Sequence, residues 1–352
     1  MVLEKLKGEM EEIDLLELAP INIVVTGRTQ DNNLVKMLAE NGRKVDFVPM
    51  SEEAAADLKN FSFKDMKPAI DFAQKHNSNL IVGYDAANNR ISVAARRSVE
   101  GNFQLLTVHQ LAILFTIKLI KEHPLEDLIF VKSSLITQMI DNVLGRRDVK
   151  CIEKIIEPGT LVEVVDEIAK SNENAKVFGI TENQEFYDNQ LSLEALVSNI
   201  VEMADLLHGD SKTLFDHIFE IYEEFGFYKE KAFVVEFVND AQKKQIIKRM
   251  DFIRRNLPFI EERLGAVKII DYKKGTSKNL ISLNTMPLDQ KGYNILKLEL
   301  QDGLYVIFAP SDDRIQYFVG SRDAFRLTES FADASKNFDE RAIGIMQIIN
   351  KM

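Results

Sequence analysis

Three short polar segments of this chain could do chemistry, and each follows a run of strand-forming residues. Asp85-Ala86-Ala87-Asn88-Asn89-Arg90 follows Leu80-Ile81-Val82-Gly83. A carboxylate, two amides and a guanidinium within six residues could begin a set of oxygen ligands for a hard cation. The same composition also makes a good turn. Thr181-Glu182-Asn183 follows Val177-Phe178-Gly179-Ile180 and offers a hydroxyl, a carboxylate and an amide. The third segment, Ala309-Pro310-Ser311-Asp312-Asp313-Arg314, follows Ile307-Phe308. A strand ending in Pro-Ser before a loop has the form of a phosphate-binding turn, which needs backbone N–H groups, small residues and positive charge. Here two adjacent carboxylates stand in the loop, and at contact distance they repel by ~1–4 kcal/mol at effective dielectrics of 80 to 20.

The composition narrows the classes of function. The chain has 352 residues, 45% of them apolar and 28% charged, enough for two or three soluble domains. A net charge of −11 disfavours a nucleic-acid partner, which needs clustered Lys and Arg. Lys243-Lys244 through Arg254-Arg255 is the longest basic run, and its spacing fits the solvated face of a helix. Cys151 is the single cysteine, so it forms no internal disulfide, and no Cys/His group has zinc spacing. No stretch approaches ~20 apolar residues. The N-terminal run MVLEKLKGEMEEIDLLEL is charged and amphipathic and lacks a signal-peptide core. A cytoplasmic protein with no membrane partner is expected.

The three segments need a scaffold, and the periodicity supplies one. A helix is expected over 1–19, ending at Pro20, followed by a strand from Ile21 to Val25. Helices over 32–41 and 63–75 then alternate with strands at Val45–Val48 and Leu80–Gly83, and Ile91–Ala95 pairs with the latter across a polar turn. This rhythm predicts an α/β sheet domain. A second such unit contains helices over 106–121, 134–144 (closed by Gly145), 161–170, 191–207 and 213–225, with strands at 128–132 and 177–180. A third begins with a basic amphipathic helix over 241–256. Strand-like runs follow at 266–272, 280–283, 294–300, 305–308 and 315–319, then a final helix over 338–351. Asp302-Gly303 marks a hairpin. The expected organisation is an N-terminal helix over 1–19, α/β domains over 20–100 and 101–235, and an α+β domain with an antiparallel sheet over 236–352.

Several runs resemble the phosphoglucomutase/phosphomannomutase branch of the α-D-phosphohexomutase superfamily. Ser211-Lys212-Thr213-Leu214-Phe215-Asp216, continuing to Gly226-Phe227-Tyr228, is similar to a family helix and its exit. Leu106-Thr107 with Gln110, Asp271-Tyr272-Lys273-Lys274-Gly275 and Asn294-Ile295-Leu296-Lys297 are similar to further family runs. The resemblance extends over roughly residues 20–352, in order, and implies family domains two, three and four. It implies that the first domain, which carries a phosphoserine in a Ser-His-Asn-Pro-like loop, is absent.

The resemblance also assigns the three segments. The family's second loop holds Mg²⁺ on three aspartates at alternate positions, then an arginine. Asp85 and Arg90 match it, while Ala87 and Asn89 replace two aspartates and Asn88 lies between them. The third loop grips sugar hydroxyls through Glu-x-Ser, and Thr181 and Asn183 stand at those positions around Glu182. The fourth loop anchors phosphate through an Arg-Pro-Ser-Gly-Thr-like run. Ser311 remains, Ala309 replaces the arginine, and Arg314 stands near the position of a lysine. The expectation is therefore a pseudoenzyme with no catalytic residue, no metal, no cofactor and lost Mg²⁺ binding. It would act by binding a protein or by self-association, through a face of the second domain partly covered by residues 1–19, with at most weak affinity for a sugar phosphate. The alternative is a split or altered mutase whose phosphoserine domain arrives on a partner chain.

Overall fold

The computed structural model describes residues 20–28, 33–40, 42–51, 55, 58, 60–122, 128–325 and 330–351. The helix expected over 1–19 lies outside the described residues. The described residues separate into two compact units, one drawn from 20–136 and 143–224, the other from 137–142 and 225–351.

The first unit contains two mixed sheets. One has the strand order β2-β1-β3-β4-β5, built from β1 (Ile23–Gly27), β2 (Val45–Pro49), β3 (Leu80–Asp85), β4 (Arg90–Arg96) and β5 (Phe103–Leu105). β1, β2 and β3 are parallel, which suits the continuously buried runs of β1 and β3. Among the helices beside them are α1 (Asn33–Glu40) and α2 (Phe63–Lys75). α2 starts at a capping box, with the Ser62 hydroxyl accepting from Asp65 N and the Asp65 carboxylate accepting from Ser62 N. Its buried face, Met66, Ala69, Ile70 and Ala73, packs with Val24, Ile81, Phe61 and Ala94.

After α3 (Val108–Glu122) comes the second sheet of this unit. Its order is β7-β6-β8-β9, from β6 (Leu128–Ser133), β7 (Lys150–Lys154), β8 (Lys176–Ile180) and β9 (Phe186–Asp188). α3 is apolar nearly all round, the mark of a helix enclosed on most sides. Its Phe115 ring meets Phe178 and Phe186, with centroids 5.7 and 5.1 Å away. α4 (Met139–Gly145), α5 (Leu161–Ser171), α6 (Leu193–Gly209) and α7 (Leu214–Phe225) complete the run. α4 begins at Met139 rather than at Ser134 and includes Gly145. Ser134–Gln138 instead turn back after β6, with Ser134 N donating to Lys154 O and the Ser133 hydroxyl accepting from Leu135 N. Short hydroxyl side chains that bond nearby backbone favour such turns over helix.

The second unit is an α+β layer. Its sheet has the order β10-β16-β15-β14-β11-β12-β13 and is antiparallel throughout. The strands are β10 (Glu230–Glu236), β11 (Ala266–Asp271), β12 (Thr276–Asn279), β13 (Thr285–Pro287), β14 (Leu296–Leu300), β15 (Leu304–Pro310) and β16 (Arg314–Ser321). β14 and β15 join at Asp302-Gly303, as the sequence predicts. α8 (Asp240–Arg255), α9 (Leu257–Leu264) and α10 (Phe331–Lys351) supply Met250, Ile253, Ile260, Phe338 and Ile345 to a core with Leu298, Val306 and Tyr317. The strand expected over 280–283 is a turn. The Asn279 side chain accepts from Ile281 N and Ser282 N, and this local bond outweighs the β-propensity of Leu-Ile-Ser-Leu.

Phe338 is fully buried in this core. Phe338→Ala is expected to destabilise the second unit by about 3–5 kcal/mol. Urea unfolding followed by circular dichroism checks it.

Candidate functional site

An open α/β sheet binds ligands beyond the carboxyl ends of its strands, where the strand order reverses. Both sheets of the first unit have such a point. In the first sheet it lies between β1 and β3, where Gly27 is in register with Tyr84. The next residues are Arg28 and Asp85, and they form an ion pair, Nη2 to Oδ2 3.5 Å. Asp85 is 2% exposed. Its Oδ2 also accepts from Asn88 Nδ2 at 2.8 Å. Ala86–Asn88 form one 3₁₀ turn, and Asn89 closes it in the left-handed conformation that Asn tolerates, φ 52°. The one carboxylate of the expected metal loop thus has a guanidinium and an amide on it. Ala87 has no ligand atom in its side chain, and the Asn89 carbonyl accepts from Phe186 N at 2.8 Å. Mg²⁺ needs several oxygens, at least one or two of them anionic. These residues do not fit it. No cluster of three His, Cys, Asp or Glu suited to a metal occurs among the described residues.

The first loop meets the second. Arg90 and Glu185 form an isolated antiparallel bridge between the starts of β4 and β9. Ile91 N donates to Gln184 O at 3.1 Å, and Thr181 N donates to Glu185 O at 3.0 Å. Side chains repeat the pattern. Glu185 is 2% exposed. Its carboxylate accepts from Thr181 Oγ1 (2.9 Å) and Gly159 N (2.9 Å) and pairs with Arg90 Nη2 (3.7 Å). Arg90 Nη1 donates to Leu58 O at 2.7 Å. The Gln184 amide accepts from Phe61 N (2.7 Å) and donates to Phe61 O (3.2 Å). The expected sugar residue Thr181 is fully buried, and its hydroxyl also accepts from Asn183 N.

The second reversal point lies between β6 and β8 and is built differently. The Ser133 hydroxyl bonds the Glu182 carboxyl, while Glu182 Oε2 is buried without a protein partner. Burial pushes this carboxyl above its usual range. Nearby, Lys132 is fully buried and pairs with Glu153 at 3.1 Å. His109, in the first turn of α3, feels both burial and the Lys132 charge. Its Nδ1 has no protein partner, and its pKa falls to about 4. His109, Lys132, Ser133, Gln184, Glu185 and Arg28 were not among the residues singled out by motif. The available signal was positional: polar residues next to the carboxyl ends of parallel strands.

The third segment belongs to the second unit. Ser311–Asp313 is the turn of the β15–β16 hairpin, closed by Ser311 N donating to Arg314 O at 2.8 Å. The Ser311 hydroxyl and Arg314 Nε both donate to Asp313 Oδ1, at 2.9 and 3.3 Å, and hold that carboxyl below its usual range. Asp312 pairs with Lys243 at 3.2 Å, and Phe237 N donates to Asp313 O at 2.7 Å. Each of the adjacent carboxylates therefore has its own cation. The Ser311 N–H and Arg314 Nε are thus engaged within the turn.

No protein-family model matches the chain. Two curated phosphoglucomutases are similar to it. The one from Staphylococcus haemolyticus is 28% identical over 118 residues, 33% of this chain and 21% of the relative. The one from Staphylococcus saprophyticus is 20% identical over 246 residues, 68% of this chain and 44% of the relative. Among solved structures, the phosphoglucomutase pp63/parafusin from Paramecium, in its open form, superposes with a TM-score of 0.62 at 11% identity, covering 99% of this chain and 62% of that one. A phosphoglucomutase/phosphomannomutase family protein from Burkholderia thailandensis gives 0.54 at 8% identity, covering 94% and 61%. The fold is that of the matching part of these phosphoglucomutase and phosphoglucomutase/phosphomannomutase structures. The chain spans 21% and 44% of the lengths of these curated relatives.

Two outcomes follow. Glu185→Ala leaves the Arg90 guanidinium buried without its carboxylate and is expected to destabilise the first unit by about 3–5 kcal/mol in urea unfolding. His109 has a folded pKa below its unfolded value, so its contribution to stability is complete above pH ~6.5 and is lost as pH falls toward ~4. Unfolding midpoints measured from pH 7.5 to pH 4.5 should fall, and His109→Asn should flatten that fall.

Proposed function

We propose that this chain is a non-catalytic phosphoglucomutase/phosphomannomutase-like protein that acts by binding. One observation carries the reading: the two candidate loops of the first unit are bonded to each other, and the Ser311–Asp313 turn of the second unit is bonded to itself. Asp85 is neutralised by Arg28, Arg90 and Glu185 hold each other, and the Ser311–Asp313 turn presents two carboxylates where phosphate would need cations. A metal would have to displace Arg28 and Asn88 from Asp85 and still find one carboxylate. No step through Mg²⁺ is derived. The partner class is a protein or a second copy of the chain. The compartment is the cytoplasm, which suits an acidic chain with a single reduced cysteine; no helix among the described residues is long and apolar enough to cross a membrane.

A second reading has its own support. The buried Glu182 Oε2 and His109 Nδ1 beyond β6 and β8 are polar atoms with capacity to spare. They favour a small polar ligand there, or a phosphohexomutase activity completed by a second polypeptide.

Purified protein is expected to show no isomerisation of glucose or mannose phosphates with Mg²⁺ and a bisphosphate activator. Turnover above the buffer background, sensitive to Asp85→Ala, would sink the non-catalytic reading. Calorimetric titration should detect no micromolar Mg²⁺ site. A rise in melting temperature with a sugar phosphate, abolished by Glu182→Gln and without turnover, would select the ligand-binding form.

A further inference from the structure

The β12–β13 arm at the edge of the antiparallel sheet is built unlike the rest of the surface. Its tip exposes Ile281 (74%), Leu283 (69%) and Met286 (67%). Single exposed apolar residues are ordinary, but three large ones within six positions are not. They are held in place. Asn279 accepts from the amides of Ile281 and Ser282, and Asn279 N donates to Asn284 O at 2.9 Å. Leu283 adopts φ 61°, a left-handed conformation that bulky residues rarely take. Every residue of β13 is exposed, so both faces of that strand meet solvent.

The arm also reverses the sign of the chain. Between positions 273 and 291 stand Lys273, Lys274, Lys278 and Lys291 against Asp289 alone, in a protein of net charge −11. Lys273 leans on Asp251 at 3.6 Å. Lys278 is paired with Thr285 next to the apolar tip, and Gly275 places Lys274 and Lys291 at the base of the arm.

We propose that this arm is an anchor for an anionic lipid surface, with Ile281, Leu283 and Met286 entering the headgroup–acyl boundary and Lys274, Lys278 and Lys291 facing the anionic headgroups. Apolar burial plus attraction to anionic lipid is the physics of interfacial binding. The composition argues for lipid over protein. Protein interface cores favour aromatics, Met and Arg and are poor in Lys, and Leu is under-represented among hot spots; of the favoured types the arm has Met286 alone. The span from 273 to 291 holds no aromatic residue and no Arg. Three side chains on a two-stranded arm also fall well short of the ~800 Å² per partner of a stable interface. Strand addition is blunted, because β13 is three residues long and ends in Pro287, which lacks an N–H. The acidic body is no obstacle, since repulsion from an anionic surface is screened within about 8–10 Å at ordinary salt. The absence of a membrane partner expected from the lack of a ~20-residue apolar stretch concerns spanning segments, whereas the arm would lie on the surface of the bilayer. The inference is independent of whether the chain catalyses.

The test is co-sedimentation of the full chain with vesicles of phosphatidylcholine alone and with roughly one third phosphatidylserine. Binding should be at least about tenfold stronger with phosphatidylserine and should weaken about fivefold per lysine in K274Q, K278Q and K291Q. The combined I281S, L283S and M286S variant should lose binding while keeping its melting temperature, because none of these side chains is in the core. No binding to either vesicle, or binding unchanged in the serine variant, overturns the proposal. So does arm-dependent self-association in lipid-free sedimentation, which would assign the tip to a protein contact.

Discussion

The first unit depends on one buried carboxylate. Glu185 takes a hydroxyl, a backbone amide and a guanidinium from three different segments, and it does so at 2% exposure. A carboxylate so placed costs several kcal/mol to desolvate unless every lone pair is used. Here the partners bring together the loop after β8, the turn before α5 and the start of β4. Arg90 passes the constraint on to Leu58, and Gln184 passes it to both backbone groups of Phe61. The two sheets are thereby joined at their carboxyl ends, and α3 joins them through Phe115 and its neighbours.

This arrangement explains why the loops read as a dismantled site. A catalytic loop must keep charges poised and partly unsatisfied until substrate arrives, and such a loop costs stability. In this chain the polar groups at the same positions pair with one another. Arg28 lies on Asp85, where a cation would be needed. The Ser311–Asp313 turn uses its own amide and hydroxyl to close the hairpin. Among the described residues, buried polar atoms without a protein partner remain at both strand-order reversals: Arg90 Nε at the first, and Glu182 Oε2 and His109 Nδ1 near the second.

The second unit assigns its charges differently. Arg254, 6% exposed, bonds Asp271, Asp251 and Asn294 and ties α8 to the sheet. Lys229 and Lys231 both reach Asp339 on α10. These partly buried pairs draw positive charge toward the core. The exposed lysines of the β12–β13 arm are thus a local departure, next to apolar side chains that the core does not use.

The sequence by itself determined the alternation of helices and strands, the α/β class of the first two sheets and the antiparallel class of the third. These follow from short-range periodicity and from turn residues such as Asp302-Gly303, whose effect is local. Its resemblance to the family also singled out Asp85, Asn88, Asn89, Arg90, Thr181, Glu182, Asn183, Ser311 and Arg314, in three segments, as candidate site positions. It misplaced the start of α4 and made a strand of residues 280–283, because single side-chain-to-backbone bonds at Ser133 and Asn279 outweighed propensity. Only the tertiary structure decided what the loop residues do. Arg28 and Asp85 are 57 positions apart, as are Asn22 and Asn79, whose side chain accepts from Asn22 N. Arg90 and Glu185 are farther apart still. Arg28 and Asp85 meet at the carboxyl ends of the parallel strands β1 and β3, Asn22 and Asn79 at their amino ends, and Arg90 and Glu185 where the two sheets meet, and no pattern within a short window of sequence records these pairings.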